Sequence, residues 1–357
     1  MVVSENLSAV IEDLSLILGS ATLAFLIALV LTPWFHKQLL KFKIGKQIRD
    51  EALSGGKAKL FSALHAKKSG TPTMGGILIW GTIILVVAIS MILERYGVFN
   101  RSLFSREETW ISLFTLVTCG ILGAFDDYLN VKGIGKHKGI SAKFKMFWLV
   151  LFSAAGAWWF YSKLGYDSIS IPIPGFTEWQ LGIWYIPIFI FIIVATANSV
   201  NFTDGLDGLA SGPLLFAFGS FGILAYTSEL YILAAFCGVI CGAVLAFLWF
   251  NVPPALFYMG DTGSLALGAT LGVTAMLVDQ ALILPIVGFI FVIETVSIII
   301  QMTSKKIFKK KVFHIAPIHH HFEHIGWPEY TVVMRFWIVG AIMAGFGTIL
   351  GLMNIQL

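Results

Sequence analysis

Long apolar runs constrain this chain more than any other feature. They lie at 14–33, 75–93, 109–125, 146–163, 182–200, 208–227, 231–250, 263–278, 281–302 and 332–353. A bilayer core of ~30 Å takes roughly 20 apolar residues per helix, somewhat fewer in short spans. Only 12% of the residues are charged, half of the ~25% usual in a soluble domain. The chain is therefore expected to be an all-α polytopic membrane protein with about ten transmembrane helices, forming one integral-membrane domain over residues 1–357. The run 263–278 is short and 281–302 contains Pro285, which blurs those two boundaries. Residues 1–13 carry Glu5, Glu12 and Asp13 but no Lys or Arg, so the first run reads as a retained span and not a cleaved signal. Cys119, Cys237 and Cys241 lie inside apolar runs and read as small buried hydrophobes.

Positive charge sets the orientation. Nine Lys or Arg lie in the connection 34–74, five in 126–145 and six in 303–335, together twenty of the 24. The other four, Arg95, Arg101, Arg106 and Lys163, fall on connections of the opposite side. Both termini then face outward, and the connections after spans one, three, five, seven and nine face the cytosol. Ile169 to Ile173, followed by Pro174-Gly175, alternates as a short outer β-hairpin would.

Carboxylates near membrane depth are costly, ~2.5–3.5 kcal/mol for Asp at a helix centre. Here they gather on the cytosolic ends of the spans. Asp126 and Asp127 end the third run, and Asn198, Asn201, Asp204 and Asp207 lie between the fifth and sixth. Asn251, Tyr258 and Asp261 follow the seventh, and Glu294 and Gln301 belong to the ninth. Taken singly, each has a plain reading. Asp204 and Asp207 are suited to capping the sixth helix, Asp126-Asp127 to an interfacial stop, and Tyr258 to an interfacial aromatic belt. Caps and stops would fall on both faces, however, whereas these sites share one face and adjoin basic loops. Carboxylates with Lys and His at one surface suit a metal–phosphate site, since Mg²⁺ takes one or two carboxylates plus substrate phosphates and lysines offset diphosphate charge.

The internal segment Ala316 to Glu323 carries His319, His320 and His321. Three consecutive side chains diverge on a helix or a strand, which disfavours a shared zinc ion. Beside Lys309, Lys310 and Lys311 the imidazoles suit hydrogen bonds to phosphate or sugar oxygens. A lipid-binding basic loop accounts for the lysines better than for the histidines.

The strings GTPTMGG (70–76), FDDY (125–128), NSVNFTDGLDGLA (198–210), FYMGDTGSLALG (257–268), ETVSIIIQ (294–301) and APIHHHFEHIGWPE (316–329) resemble, in order, the phospho-N-acetylmuramoyl-pentapeptide transferases. These are a branch of the polyprenyl-phosphate N-acetylhexosamine 1-phosphate transferases. The resemblance runs from about residue 70 to the end. The Asp-Asp and Asn-x-x-Asp-Gly-x-Asp strings are shared across the superfamily, while GTPTMGG with the triple histidine marks the branch.

The resemblance implies ten spans, a homodimer in the bacterial inner membrane and a Mg²⁺-dependent reaction in a cytoplasmic cleft. Undecaprenyl phosphate would attack the β-phosphate of UDP-N-acetylmuramoyl-pentapeptide, giving lipid I and UMP in the first membrane step of peptidoglycan synthesis. The expected partners are those two substrates and the bilayer, and no nucleic acid. By motif match, Asp261 would hold the metal and Asp126 stands at the position of a base toward the lipid phosphate. Asp127, Asn198, Asn201 and Asp204 would complete the polar site, and Asp207, Asn251 and Tyr258 would meet the nucleoside. Lys68, Lys132, Lys145, Gln301 and His319 to His321 would surround the diphosphate and sugar. Two departures stand out. Tyr258 replaces a Phe that commonly stacks on uracil, and Thr262 replaces the usual Val after the metal Asp.

Two other readings compete. A sister transferase using UDP-N-acetylglucosamine would lack the triple-His and GTPTMGG strings. A transporter would place its carboxylates near the midplane, where only Glu294 is expected. No G-x-x-x-x-G-K string supports an ATP-driven pump.

Overall fold

The computed structural model describes residues 2–45, 70–98, 100–134, 139–173 and 176–355. A helix falls on each of the ten apolar runs. In chain order these elements are α1 (Val2–Lys41), α2 (Gly76–Arg95), α3 (Glu107–Lys132) and α4 (Ala142–Trp159). The ribbon strands β1 (Ser168–Ile173) and β2 (Phe176–Gln180) come next. They are followed by α5 (Tyr185–Thr203), α6 (Ser211–Thr227), α7 (Tyr231–Asn251), α8 (Asp261–Leu277), α9 (Leu284–Val287), α10 (Phe289–Ile307), α11 (Ile318–His324) and α12 (Glu329–Ile355).

Among the described residues, six helical stretches are long and apolar enough to cross a membrane: Val10–Lys41, Gly76–Arg95, Glu107–Lys132, Gly182–Thr203, Tyr231–Asn251 and Glu329–Ile355. The remaining runs fall short for definite reasons. Lys143 and Lys145 open α4. Helices α6 and α8 have 17 residues each, and α8 is built largely of Gly, Ala, Ser and Thr. The run at 281–302 is broken: Pro285 sits in the first turn of α9, where its missing N–H is no loss, and Gly288 separates α9 from α10, whose 19 residues include Glu294, Lys305 and Lys306.

Small residues decide where α8 goes. Every residue from Thr262 to Leu277 is buried, with α3 and α5 packed directly against it, because small side chains let helix backbones approach closely. By contrast α1 leans on α7 and leaves Leu18, Leu26, Val30 and Trp34 exposed, as a lipid-facing helix would.

The two ends of the bundle collect different connections. At one end the segments after the first, third, fifth, seventh and ninth runs meet. Thr73 N–H donates to Ile44 O (3.1 Å), Tyr258 N–H to Pro72 O (2.8 Å) and Ala255 N–H to Asp207 Oδ2 (3.0 Å). At the other end Arg101 pairs with Asp13 (2.5 Å), Asn100 donates to Glu12 (2.8 Å) and Ser170 N–H donates to Asp279 (3.1 Å). The expected hairpin is present there, antiparallel, with Ser168 opposite Gln180 and an irregularity between Ser170 and Ile173.

Candidate active site

Two loops that are far apart in sequence form the floor of the site. Residues 72–76 run alongside 258–259: Gly75 N–H donates to Tyr258 O (2.8 Å) and Gly76 N–H to Met259 O (2.9 Å). This pairing delivers the chain to Asp261 at the start of α8. Helix α3 crosses the same point so closely that a Cβ on Gly123 would lie 2.1 Å from the Asp261 carbonyl oxygen. Only glycine fits there. Helix α3 then continues past Asp126 and Asp127 to Lys132.

Four polar side chains from four helices converge above this floor. Lys145 of α4 donates to Asp126 Oδ2 of α3 (2.6 Å) and also to Asp261 Oδ2 of α8. Asn201 of α5 donates to Asp261 Oδ1 (2.7 Å) and to Ser264 Oγ (2.8 Å). The second Asp126 oxygen accepts from Ile140 N–H (2.5 Å). Two carboxylates thus share one ammonium. Asp127 turns the other way, beneath the site, and accepts from Asp261 N–H (3.2 Å), Thr262 N–H (3.0 Å) and Thr262 Oγ1 (2.6 Å).

The segment 204–210 leads from α5 to α6 without capping it: α6 begins only at Ser211, preceded by Ala210. Instead it is braced from several sides. Asp207 accepts from Ala255 N–H, and its own N–H donates to Glu329 Oε1 (2.9 Å). Asn251, only 2% exposed, accepts from Gly208 N–H (3.0 Å) and Ser211 Oγ (3.2 Å) and donates to Phe257 O (3.0 Å). Trp337 Nε1–H donates to Gly208 O (3.1 Å). Glu329 closes the APIHHHFEHIGWPE string but was not singled out as a site residue, and Trp337 had no signal in the sequence, since it looks like an ordinary residue of the last helix.

The three histidines diverge on the short helix α11. His319 is fully buried, its Nδ1 2.8 Å from Oε2 of the equally buried Glu294, and its ring packs on Gly205. His320 Nδ1 lies 2.7 Å from Glu323. His321 stacks on His314 at 5.3 Å and 10°; its partial burial, then the neighbouring His314 and His324, lower its pKa from the ordinary value. Glu294, the deep carboxylate of the sequence, is therefore the partner of a histidine.

Other expected residues lie elsewhere. Asn198 bonds back to Val194 O of its own helix (2.7 Å). Gln301 closes the turn after α10, accepting from Val312 and Phe313 N–H (3.0 Å each) and donating to Phe313 O (2.8 Å). Lys132 is exposed, its ammonium 5.9 Å from the Tyr128 ring centre. Asp204 and Tyr258 are half-buried. Lys68 lies outside the described residues.

Comparison of the sequence with known proteins identifies a family. The model of Glycosyl transferase family 4 matches residues 109–279. The phospho-N-acetylmuramoyl-pentapeptide-transferase signature 1 matches residues 68–79, the loop that pairs with 258–259. Phospho-N-acetylmuramoyl-pentapeptide-transferases of Bacillus anthracis (strain A0248) and Bacillus cereus (strain AH187) are each 41% identical over 338 residues, 94% of this chain and 98% of theirs. That of Geobacillus sp. (strain WCH70) is 40% identical over 326 residues, 91% of this chain and 94% of its own. The similarity therefore reaches upstream of residue 70, beyond the motif strings. On these matches, the chain belongs to the phospho-N-acetylmuramoyl-pentapeptide transferase family.

Proposed function

We propose that the chain transfers phospho-N-acetylmuramoyl-pentapeptide from its UDP-linked precursor to undecaprenyl phosphate, yielding lipid I and UMP. The setting proposed is a ten-span homodimer in the bacterial inner membrane, with the site facing the cytoplasm. The observation that carries this reading is the meeting of Asp126, Lys145, Asn201 and Asp261, from four helices, at the end of the bundle that holds the basic connections.

The donor set suits Mg²⁺, which takes one or two carboxylates and completes its shell with water and substrate phosphates. Asp126 and Asp261 fit because each already turns an oxygen toward a common positive charge, the Lys145 ammonium. Bound there, the ion would neutralise charge on the diphosphate as the bond to the leaving UMP breaks.

The remaining work falls to the chain's own residues. Asn201 fixes the Asp261 rotamer by donating to Oδ1. Lys145 sits close enough to give its ammonium to phosphate oxygens as charge develops on them. A phosphate monoester has its second pKa near ~6, so the lipid phosphate arrives largely dianionic and has little need of a base. Asp126 then acts mainly by orienting Lys145 and holding the loop at Ile140. The attacking oxygen of the lipid phosphate bonds to the β-phosphorus, and the α–β bridging oxygen leaves with UMP.

The test is purified protein with UDP-N-acetylmuramoyl-pentapeptide, undecaprenyl phosphate and Mg²⁺, assayed for UMP, beside UDP-N-acetylglucosamine as rival donor. UMP release with the muramoyl donor alone is expected. Turnover of the N-acetylglucosamine donor instead would move the chain to the sister branch.

A further inference from the structure

We infer that Asp127 is a positioning residue which, together with the Thr262 hydroxyl, clamps the first turn of α8 and so holds Asp261 toward the metal. It neither takes a proton nor binds the ion. The inference rests on the metal role proposed for Asp261.

Geometry separates the two adjacent aspartates by their partners. Both are buried, but Asp126 accepts from Lys145 and Ile140 N–H, whereas Asp127, one residue further round α3, faces the α8 backbone. Its three hydrogen bonds come from Asp261 N–H, Thr262 N–H and the Thr262 hydroxyl. A carboxylate has about four acceptor positions, so most of its capacity is committed. Among the described residues no Lys or Arg forms an ion pair with it.

These donors are the free amides at a helix N-terminus, where a carboxylate is favoured by hydrogen bonding and by the helix dipole. The residue that would ordinarily supply such a cap is Gly260, which has no side chain. Its φ of +72° and ψ of 178° suit glycine alone. A Cβ there would lie 2.3 Å from Asp127 Oδ2. The cap therefore has to come from another helix, and Asp127 provides it. The peptide that Asp127 grips is the one that carries the Asp261 side chain.

Thr262 now has a physical role. It is fully buried, and a buried hydroxyl needs a partner; Asp127 is that partner at 2.6 Å. Val at this position would keep the shape and the backbone bond but lose the third donor.

The test is a double-mutant cycle on the full-length protein in detergent, using Thr262→Val, Asp127→Asn and the pair. Mn²⁺ binding is followed by electron paramagnetic resonance, and UMP release is measured across a Mg²⁺ series. Thr262→Val should weaken Mn²⁺ binding about 3- to 10-fold, Asp127→Asn should weaken it more, and the pair should be no worse than Asp127→Asn alone. The kcat of Asp127→Asn should recover substantially with excess Mg²⁺. Unchanged Mn²⁺ affinity in both single variants, with turnover lost even at saturating Mg²⁺, would show that Asp127 acts in the chemistry and overturn the clamp. Strict additivity would overturn it too. If Asp127→Asn does not fold, Thr262→Val decides by its Mn²⁺ affinity. Failure of the wild type to turn over the muramoyl donor would instead count against the proposed function, and Mn²⁺ binding would still report on the clamp.

Discussion

At the scale of single residues, the carboxylates divide by what each can reach. Asp261 is the one that touches both Lys145 and Asn201, so it should be the least replaceable. Asp261→Asn should abolish UMP release at any practical Mg²⁺ concentration while the protein still inserts and elutes as a single species, because the substitution keeps volume and sits at a loop–helix junction. Near-normal turnover in a folded Asp261→Asn protein would remove it from the metal role. Tyr258 is open to a different test. It lies three residues before Asp261, and its backbone is fixed by Pro72 and Gly75, in the loop that leads into α8. If the ring stacks on uracil, Tyr258→Phe keeps nearly full UMP affinity and Tyr258→Ala loses about 5- to 150-fold, from ~1–3 kcal/mol per stacked base. Equal losses in Phe and Ala would assign the contact to the hydroxyl. No loss in either would take the ring away from the nucleoside.

At the scale of elements, the site depends on how closely α3 and α8 approach. Gly123→Ala places a methyl against the Asp261 carbonyl, a backbone atom that cannot rotate away. Overpacking of this kind costs typically ~1–3 kcal/mol, and relief requires α8 to shift and carry Asp261 with it. The variant should lose activity more steeply than thermal stability in detergent; wild-type kcat would show that the contact is not part of the site. The same elements show what the sequence disclosed and what it withheld. Apolar runs exposed the helices because hydropathy is additive along the chain, and the acidic strings exposed Asp126 and Asp261 because buried charge is rare. Asn251 and Gln301 were placed with the substrate ligands by motif, and the structure shows their amides bonded to backbone groups of neighbouring loops. Such bonds depend on which loops meet, and no local pattern encodes that. Thr262 made sense only once Asp127 was seen beside it. The partner of Glu294 was equally hidden, lying 25 residues away on a helix of 7.

At the scale of the whole molecule, the fold sorts its connections by end, and the proposed cytosolic orientation follows from their charge. Lys145 belongs to the carboxylate site, and Lys132 and Lys305 to Lys311 lie on connections at the same end of the bundle, whereas Arg95, Arg101 and Arg106 lie on connections at the hairpin's end. Twenty of the 24 Lys and Arg belong to the first group of connections, and positively charged short loops are retained in the cytosol. The site must face that way if its UDP-linked donor is made there. Two surface positions test this without touching the site: Lys310, exposed after α10, and Glu178, exposed on β2. The native thiols interfere little, since Cys119 and Cys237 are buried and Cys241 is half-buried within α7. In intact spheroplasts a membrane-impermeant maleimide should label Glu178→Cys but leave Lys310→Cys unmodified, and in inside-out vesicles the pattern should reverse. Each variant should keep its UMP-release activity, so that labelling reports on a functional protein. Modification of Lys310→Cys from outside sealed cells would invert the topology. It would put the Asp261 cluster on the face away from the cytosolic donor, and the proposed reaction could not then run from this site.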